Sequence, residues 1–200
     1  MLETGELVEV ERCYRLDFSD CPQNQFIVSS GFEKVSFEEF VSGDTRLQRH
    51  PQGKKMYDDI ILPRRSTDGS AGYDFFIPYD CEIPAGYTYR IETGIRCPIA
   101  NGWALWILPK SGLGIRYHVR LVNTIGLIDS DYYQTGHQII VEVHVPNERV
   151  CESNNYMDQI LTLNKGDKFC QGVFVPYGVT LQDCYDKKQE REGGFGSTGK

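Results

Sequence analysis

Trp103-Ala-Leu-Trp-Ile-Leu-Pro-Lys-Ser-Gly-Leu-Gly114 passes from six apolar residues straight into a segment of breakers, and Asn123-Thr-Ile-Gly-Leu-Ile-Asp-Ser-Asp-Tyr132 follows soon after. An apolar run this short, closed by Pro and Gly, predicts a buried strand rather than a helix. The same texture extends in both directions. Ile60–Pro63, Tyr73–Ile77, Tyr87–Cys97, Val119–Val122, Ile139–Val145, Gln159–Leu163 and Phe169–Val175 are short apolar stretches bounded by turn formers. Twelve Tyr, ten Phe and twenty Gly tip the balance further toward strands and tight turns. The spacing predicts an all-β sandwich or jelly roll of antiparallel strands.

Residues 1–57 differ in texture. Ser36, three residues before Glu39, makes a capping box and predicts a short helix from Phe37. Asp44 to Lys55, rich in Arg, His, Gln and Gly, reads as an exposed loop. The division is therefore an N-terminal extension over 1–57, a β core over 58–185 and a C-terminal arm over 186–200. No chemistry is evident in the extension.

A net charge of −7 opposes a nucleic acid polymer as the main partner, because phosphate backbones need a basic surface. A small phosphorylated ligand needs only a few cations and N–H donors, so it stays open. Seven cysteines without a C-x-x-C pair read as free thiols. No run approaches the roughly 18 apolar residues of a membrane span, and a basic-then-apolar leader is missing, so a cytoplasmic protein is expected.

Between the strands, several segments carry more than turn chemistry. Ser70-Ala-Gly-Tyr-Asp74 sets a carboxylate just after two small residues, where backbone can approach a ligand closely; an ordinary turn into a strand fits it too. Lys110, Ser111 and Gly112 combine a cation, a hydroxyl and N–H donors, the ingredients of an anion nest or of a plain loop. Asn123–Tyr132 reads as a hairpin with an amide, a glycine, two carboxylates and an aromatic, while Ile125, Leu127 and Ile128 bury their own faces. Gly166-Asp-Lys-Phe-Cys-Gln-Gly172 is a turn entering an apolar strand, with Gln171 as a neutral donor. Gly194 to Lys200 fits G-x-x-x-x-G-K, yet the charge run Asp186–Glu192 before it lacks the apolar alternation of the strand that a P-loop needs, so a solvated tail is expected there instead.

Taken in order, Ser-Ala-Gly-Tyr-Asp, Pro-Lys-Ser-Gly-Leu, Asn-x-x-Gly-Leu-Ile-Asp-Ser-Asp-Tyr, Gly-Asp-Lys-x-x-Gln and Gly-Gly-Phe-Gly-Ser-Thr-Gly resemble the five motifs of the homotrimeric dUTPases, over residues 59–200. Phe32-Glu-Lys-Val-Ser36 is similar to the lead-in of some Gram-positive bacterial and phage members. The resemblance implies a distorted jelly-roll (β-clip) barrel with a short N-terminal helical extension, assembled as a trimer with sites between subunits. It implies Mg²⁺-dependent hydrolysis of dUTP to dUMP and pyrophosphate. Asp129 would be the base that activates water for in-line attack on the α-phosphorus. Asp74 would touch the metal through water. Lys110, Ser111, Gly112 and Gln171 would line the phosphates. Asn123, Gly126, Leu127 and Ile128 would pair with uracil through backbone groups, and Tyr132 would pack on deoxyribose. In the arm, Phe195 would stack on uracil, Arg191 would reach the terminal phosphate, and Gly196, Ser197 and Thr198 would supply phosphate donors.

Three departures from the family pattern stand out. The arm's Arg is four residues before Phe195 rather than five, where Glu190 stands. Tyr133-Gln-Thr135 makes the stretch from Tyr132 to Gly136 longer by two, which reads as a lengthened turn. Lys110 replaces the more usual Arg, keeping charge but losing a bidentate fork. Two alternatives accompany this reading. The related dCTP deaminases would need a catalytic Glu after the hairpin, and Glu142 stands one residue out of that spacing. Some phage members also bind repressor proteins, a partner role that residues 1–30 could serve.

Overall fold

The computed structural model describes residues 27–147 and 160–182. In chain order they form β1 (Glu33–Lys34), α1 (Phe37–Ser42), α2 (Thr45–Arg49), α3 (Gly53–Asp58), β2 (Arg64–Arg65), β3 (Tyr73–Phe76), β4 (Cys81–Pro84), β5 (Thr88–Glu92) and β6 (Ile95–Arg96). Then follow β7 (Trp103–Pro109), α4 (Ser111–Tyr117), β8 (Arg120–Leu121), β9 (Gly126–Ile128), a 3-10 turn (Tyr132–Thr135), β10 (Ile140–His144), β11 (Ile160–Leu163) and β12 (Lys168–Pro176). All strand pairs among the described residues are antiparallel, in a five-stranded sheet ordered β2-β3-β12-β7-β9, a three-stranded sheet β5-β10-β8, and the pairs β4-β11 and β1-β6. The all-β class expected from the short apolar runs is the one found.

One apolar cluster joins the sheets. Phe75, Ile83, Ile91, Leu105, Val141 and Phe169 are all buried in it. So are Val35, Phe40 and Leu47 from the N-terminal segment, with Phe40 completely covered. That segment starts as expected, because the Ser36 side chain accepts from the Glu39 N–H at 3.2 Å and caps α1. The stretch from Asp44 to Lys55 differs from the exposed loop predicted for it. It folds into α2 and the first half of α3, because Asp44 caps α2 through the Arg46 N–H at 2.7 Å and Leu47 turns into the core.

Strand boundaries moved for identifiable reasons. Ile60–Pro63 is not a strand, since Pro63 has no N–H to give a ladder, and pairing starts at Arg64. Tyr87–Cys97 is split into β5 and β6 at Gly94, whose φ of 68° turns the chain and whose missing side chain leaves room for Ile60 and Phe40. The glycine-rich segment after β7 is the helix α4, ended by His118 in the left-handed region.

The covered position of Phe40 makes the N-terminal helix part of the core. Phe40→Ala is expected to lower the unfolding free energy by about 3–5 kcal/mol in a urea titration; a loss below about 1 kcal/mol would show that α1 lies outside the cooperative unit.

Candidate active site

The site starts with a register. Gln171 on the central strand β12 stands opposite Asp74 on β3 and opposite Leu108 on β7. Period-2 alternation then puts Asp74, Gln171 and Leu108 on one face of the sheet, while Phe75, Cys170 and Ile107 enter the core. The register shifts between Lys168 and Cys170, where one extra residue is accommodated. Phe169 and Cys170 are consequently both buried, and Lys168 falls opposite Phe76 on the same face as Asp74.

Asp74 is the electrostatic centre of this end. Its side chain is only 4% exposed. Lys110 reaches one carboxylate oxygen at 2.5 Å, and Lys168 reaches the other at 2.8 Å. Ser66 donates to that second oxygen at 2.7 Å and itself receives Lys168 at 2.7 Å. Burial by itself would raise the Asp74 carboxyl, but the hydrogen bonds from Lys110, Lys168 and Ser66 outweigh it and hold the group at about 2. Two ammonium groups around one carboxylate leave a net positive corner. Gln171 lies against the Pro109 carbonyl at 3.5 Å, and Gly72 has no side chain because a Cβ would come within 2.9 Å of the Gln171 amide oxygen. Ser111 and Gly112 open α4 directly after Lys110, and no side chain caps that helix start.

The predicted hairpin lies elsewhere on the same sheet. Gly126, Leu127 and Ile128 pair with Ile107, Trp106 and Leu105 of β7. A Cβ on Gly126 would sit 3.0 Å from the Ile107 Cβ, so glycine is what lets β9 approach. At the tip, Ile125 N–H donates to the Asn123 carbonyl at 2.7 Å across Thr124, which is held at φ 65°. Burial of the hairpin's apolar residues is less than expected: Leu127 is 58% and Ile125 38% exposed, because no layer among the described residues covers that face.

Asp129 follows β9, and one more step of its register with β7 would set it level with Ala104. From Leu108 to Ala104 is roughly 13 Å along β7, and from β3 to β9 is about 14 Å across three strand spacings. One chain therefore keeps Asp129 and Asp74 roughly 20 Å apart. The structure gathers Asp74, Lys110, Ser111, Gly112 and Gln171 at one place, and Asn123, Gly126, Leu127, Ile128 and Asp129 at another.

Tyr132 begins the 3-10 turn and is 7% exposed, its hydroxyl turned inward to donate to the Gln138 carbonyl at 2.8 Å. Glu142 stands on β10 opposite Arg90. Arg191, Phe195, Gly196, Ser197 and Thr198 lie outside the described residues, as do all but the last few of residues 1–30. Two contributors went unassigned in the sequence reading, Lys168 and Ser66. Lys168 sits inside the Gly-Asp-Lys-x-x-Gln motif, but strict alternation from Gln171 would have turned it to the core face. Ser66 has no signal beyond its breaker-rich surroundings.

Asp74 also gives a pH signature. Its folded value near 2 lies below the unfolded value of about 3.9, so its stabilisation is complete above about pH 4 and is lost as pH falls toward 2. Discounted for the 41% exposure of Lys168, it amounts to about 1–2 kcal/mol. Asp74→Asn is expected to remove this part of the acid-side fall in denaturant midpoint between pH 4 and pH 2. An unchanged fall would mean that the lysines do not hold the carboxylate in the folded protein.

Comparison with known proteins supplies the family. The dUTPase family model matches residues 58–199. The deoxyuridine 5'-triphosphate nucleotidohydrolase of Lactococcus lactis is 33% identical over 144 residues, covering 70% of this chain and 89% of that protein. The protein of the same name from Pectobacterium carotovorum is 39% identical over 145 residues, covering 70% and 87%. Among solved structures, dUTPase from Streptococcus mutans superposes with a TM-score of 0.53 at 24% identity, covering 75% of this chain and 98% of that one, a likeness of fold. A family model spanning most of the chain, together with relatives above 30% identity, places the protein: it belongs to the dUTPase family.

Proposed function

We propose that the protein hydrolyses dUTP to dUMP and pyrophosphate, with Asp129 as the base that takes a proton from the attacking water. The observation that carries the reading is the positive corner built by Lys110 and Lys168 around the buried Asp74 carboxylate, in a chain of this family. The curated relatives are named for the same substrate. In this reading the phosphate chain lies against Lys110, the Ser111 and Gly112 N–H groups and Gln171. Uracil is paired by backbone groups of the Asn123–Ile128 hairpin in a slot too tight for the thymine methyl. The ring of Tyr132 packs on the deoxyribose and leaves no room for a 2′-hydroxyl. Steric rejection of this kind supplies specificity by penalising the wrong nucleotide. The arm residues Phe195 and Arg191 close over the base and terminal phosphate, with Gly196, Ser197 and Thr198 donating to phosphate.

The residues present define which metal would fit. Among the described residues no group of three or more His, Cys, Asp or Glu gathers, and both oxygens of Asp74 are engaged. That suits a hydrated Mg²⁺ arriving with the triphosphate and touched by Asp74 through water, since Mg²⁺ dehydrates reluctantly and uses few protein ligands. When bound, the ion would offset charge on the phosphate oxygens. Lys110, Lys168, Ser111, Gly112 and Gln171 orient the phosphate chain, and Asp129 holds the water and accepts its proton.

Because one chain separates Asp129 from Asp74 by roughly 20 Å, too far for one nucleotide's reacting phosphate and its counterions, the complete site needs two copies. A homotrimer with shared sites meets that requirement. The outward row Val173, Trp106 and Leu127, aligned across β12, β7 and β9, offers apolar surface for such packing.

Pyrophosphate release measured with dUTP, dTTP, UTP and dCTP in the presence of Mg²⁺ is expected to show rapid turnover of dUTP alone. Asp129→Asn should bind dUTP but cleave it at least about 10²-fold more slowly. Binding of dUTP without cleavage by the native chain, or full activity of the variant, would overturn the reading.

Shared sites have their own signature. Asp129→Asn and Lys110→Ala, each inactive alone, should recover activity when refolded together, at roughly a quarter of sites for random mixing. No recovery from a mixture shown to contain hybrid oligomers would place the whole site in one chain.

A further inference from the structure

A residue that rejects a ribose sterically works only if it cannot retreat, so what stands behind Tyr132 decides how well it discriminates. Its hydroxyl is held by Gln138, which is 1% exposed and has all its polar groups engaged. The Gln138 carbonyl accepts the Tyr132 hydroxyl at 2.8 Å. Its side-chain amide donates to the Glu39 and Phe40 carbonyls at 2.9 and 3.2 Å, and its side-chain oxygen accepts the Gly94 N–H at 2.8 Å. Its own main-chain N–H donates to the Glu39 carboxylate at 3.1 Å. Helix α1 is thus tied, through one buried residue, to the hydroxyl of Tyr132.

A second tie grips the next residue of the turn. Tyr133 donates its hydroxyl to the Glu33 carboxylate at 2.7 Å, and Arg96 pairs with that same carboxylate at 2.6 Å while lying 4.7 Å from the centre of the Tyr133 ring. Glu33 and Arg96 are register partners of β1 and β6, so the anchor is itself fixed by strand pairing. Tyr133 opens the stretch by which this chain exceeds the usual length between Tyr132 and the following glycine. The lengthened turn and the N-terminal segment that receives it are complementary.

Resting on the reading of Tyr132 as the sugar-facing residue, we propose that the N-terminal segment from Glu33 to Phe40 is a specificity brace, in which Glu39 and Glu33 are positioning residues that hold the Tyr132–Thr135 turn against a 2′-hydroxyl. Buried hydrogen bonds suit this task because each leaves an unpaired polar group if the turn shifts. Plain packing would tolerate a small retreat, whereas the five bonds made by Gln138 define one position for the tyrosine hydroxyl.

The test is the ratio of kcat/KM for dUTP to that for UTP, with the same ratio taken as equilibrium affinities in an Asp129→Asn background. Glu39→Ala is expected to lower the ratio about tenfold and Tyr133→Phe about threefold to fivefold, mainly through better use of UTP. Glu39→Gln should restore it to within about twofold, since an amide oxygen still accepts the Gln138 N–H. Ile83→Val, a core change on β4 away from the turn, should lower the unfolding midpoint and leave the ratio alone. An unchanged ratio in Glu39→Ala and Tyr133→Phe overturns the brace, and if Glu39→Ala does not fold, Tyr133→Phe decides by the same criterion. A native chain that binds but does not cleave dUTP would defeat the hydrolase reading, while the affinity ratios would still decide the brace.

Discussion

The extra residue in β12 is the constraint on which the candidate site depends. An unbroken strand running back from Gln171 would alternate Cys170 in, Phe169 out and Lys168 in. The shift between Lys168 and Cys170 lets Phe169 and Cys170 both bury, at 1% and 0% exposure, and returns Lys168 to the face that holds Asp74. Without Lys168, Asp74 would face Lys110 alone, and the corner would be neutral. With it, the corner is positive even though its centre is a carboxylate. A bulge is a known means of re-aiming a side chain, and here it reconciles a filled core with a second cation.

The same sheet bears on why the proposed site would draw on two copies. β12 pairs with β3 on one side and β7 on the other, and Gly172 lies so deep between Leu105 and Phe75 that a Cβ would come within 3.0 Å of both. Such contact allows no sliding, so the distance between the Asp74 row and the Asp129 level is set by strand rise and spacing. Neither can be altered by a side chain. In the proposed reading a base at Asp129 and phosphate-binding cations around Asp74 meet across copies, and the apolar row on that face, exposed among the described residues, offers surface for such a junction.

How much of this was legible in the sequence depended on whether a residue works through its side-chain type or through backbone geometry. Asp74, Lys110 and Gln171 could be read because a carboxylate, a cation and an amide stand in recognisable motifs, and the register did bring them together. The class of fold was readable from short apolar runs. Lys168 was hidden by the bulge, which has no marker in Lys-Phe-Cys-Gln. Helix α4 was hidden by two glycines in Ser111–Tyr117, a composition that suggests a loop. The exposure of Leu127 was hidden because alternation says which residues share a face and not whether that face is covered.

The N-terminal segment is the clearest case of function invisible to residue type. Phe37-Glu-Glu-Phe40 carries no motif beyond its cap, and the expected return bond of the capping box, from Glu39 to the helix start, competes with another use. Glu39 instead accepts from Gln138 and lies 3.2 Å from His137. The two other groups of α1 that reach Gln138 are main-chain carbonyls of Glu39 and Phe40, which any residue would carry. What selects them is position: Phe40 is drawn fully into the core, Gly94 clears the space for it, and the carbonyls then face the one buried glutamine that backs Tyr132. Hydrophobic burial fixes the helix, the helix presents backbone acceptors, and those acceptors set a tyrosine. In the proposed reading, a segment that looks inert by composition thereby bears on which sugar the site admits.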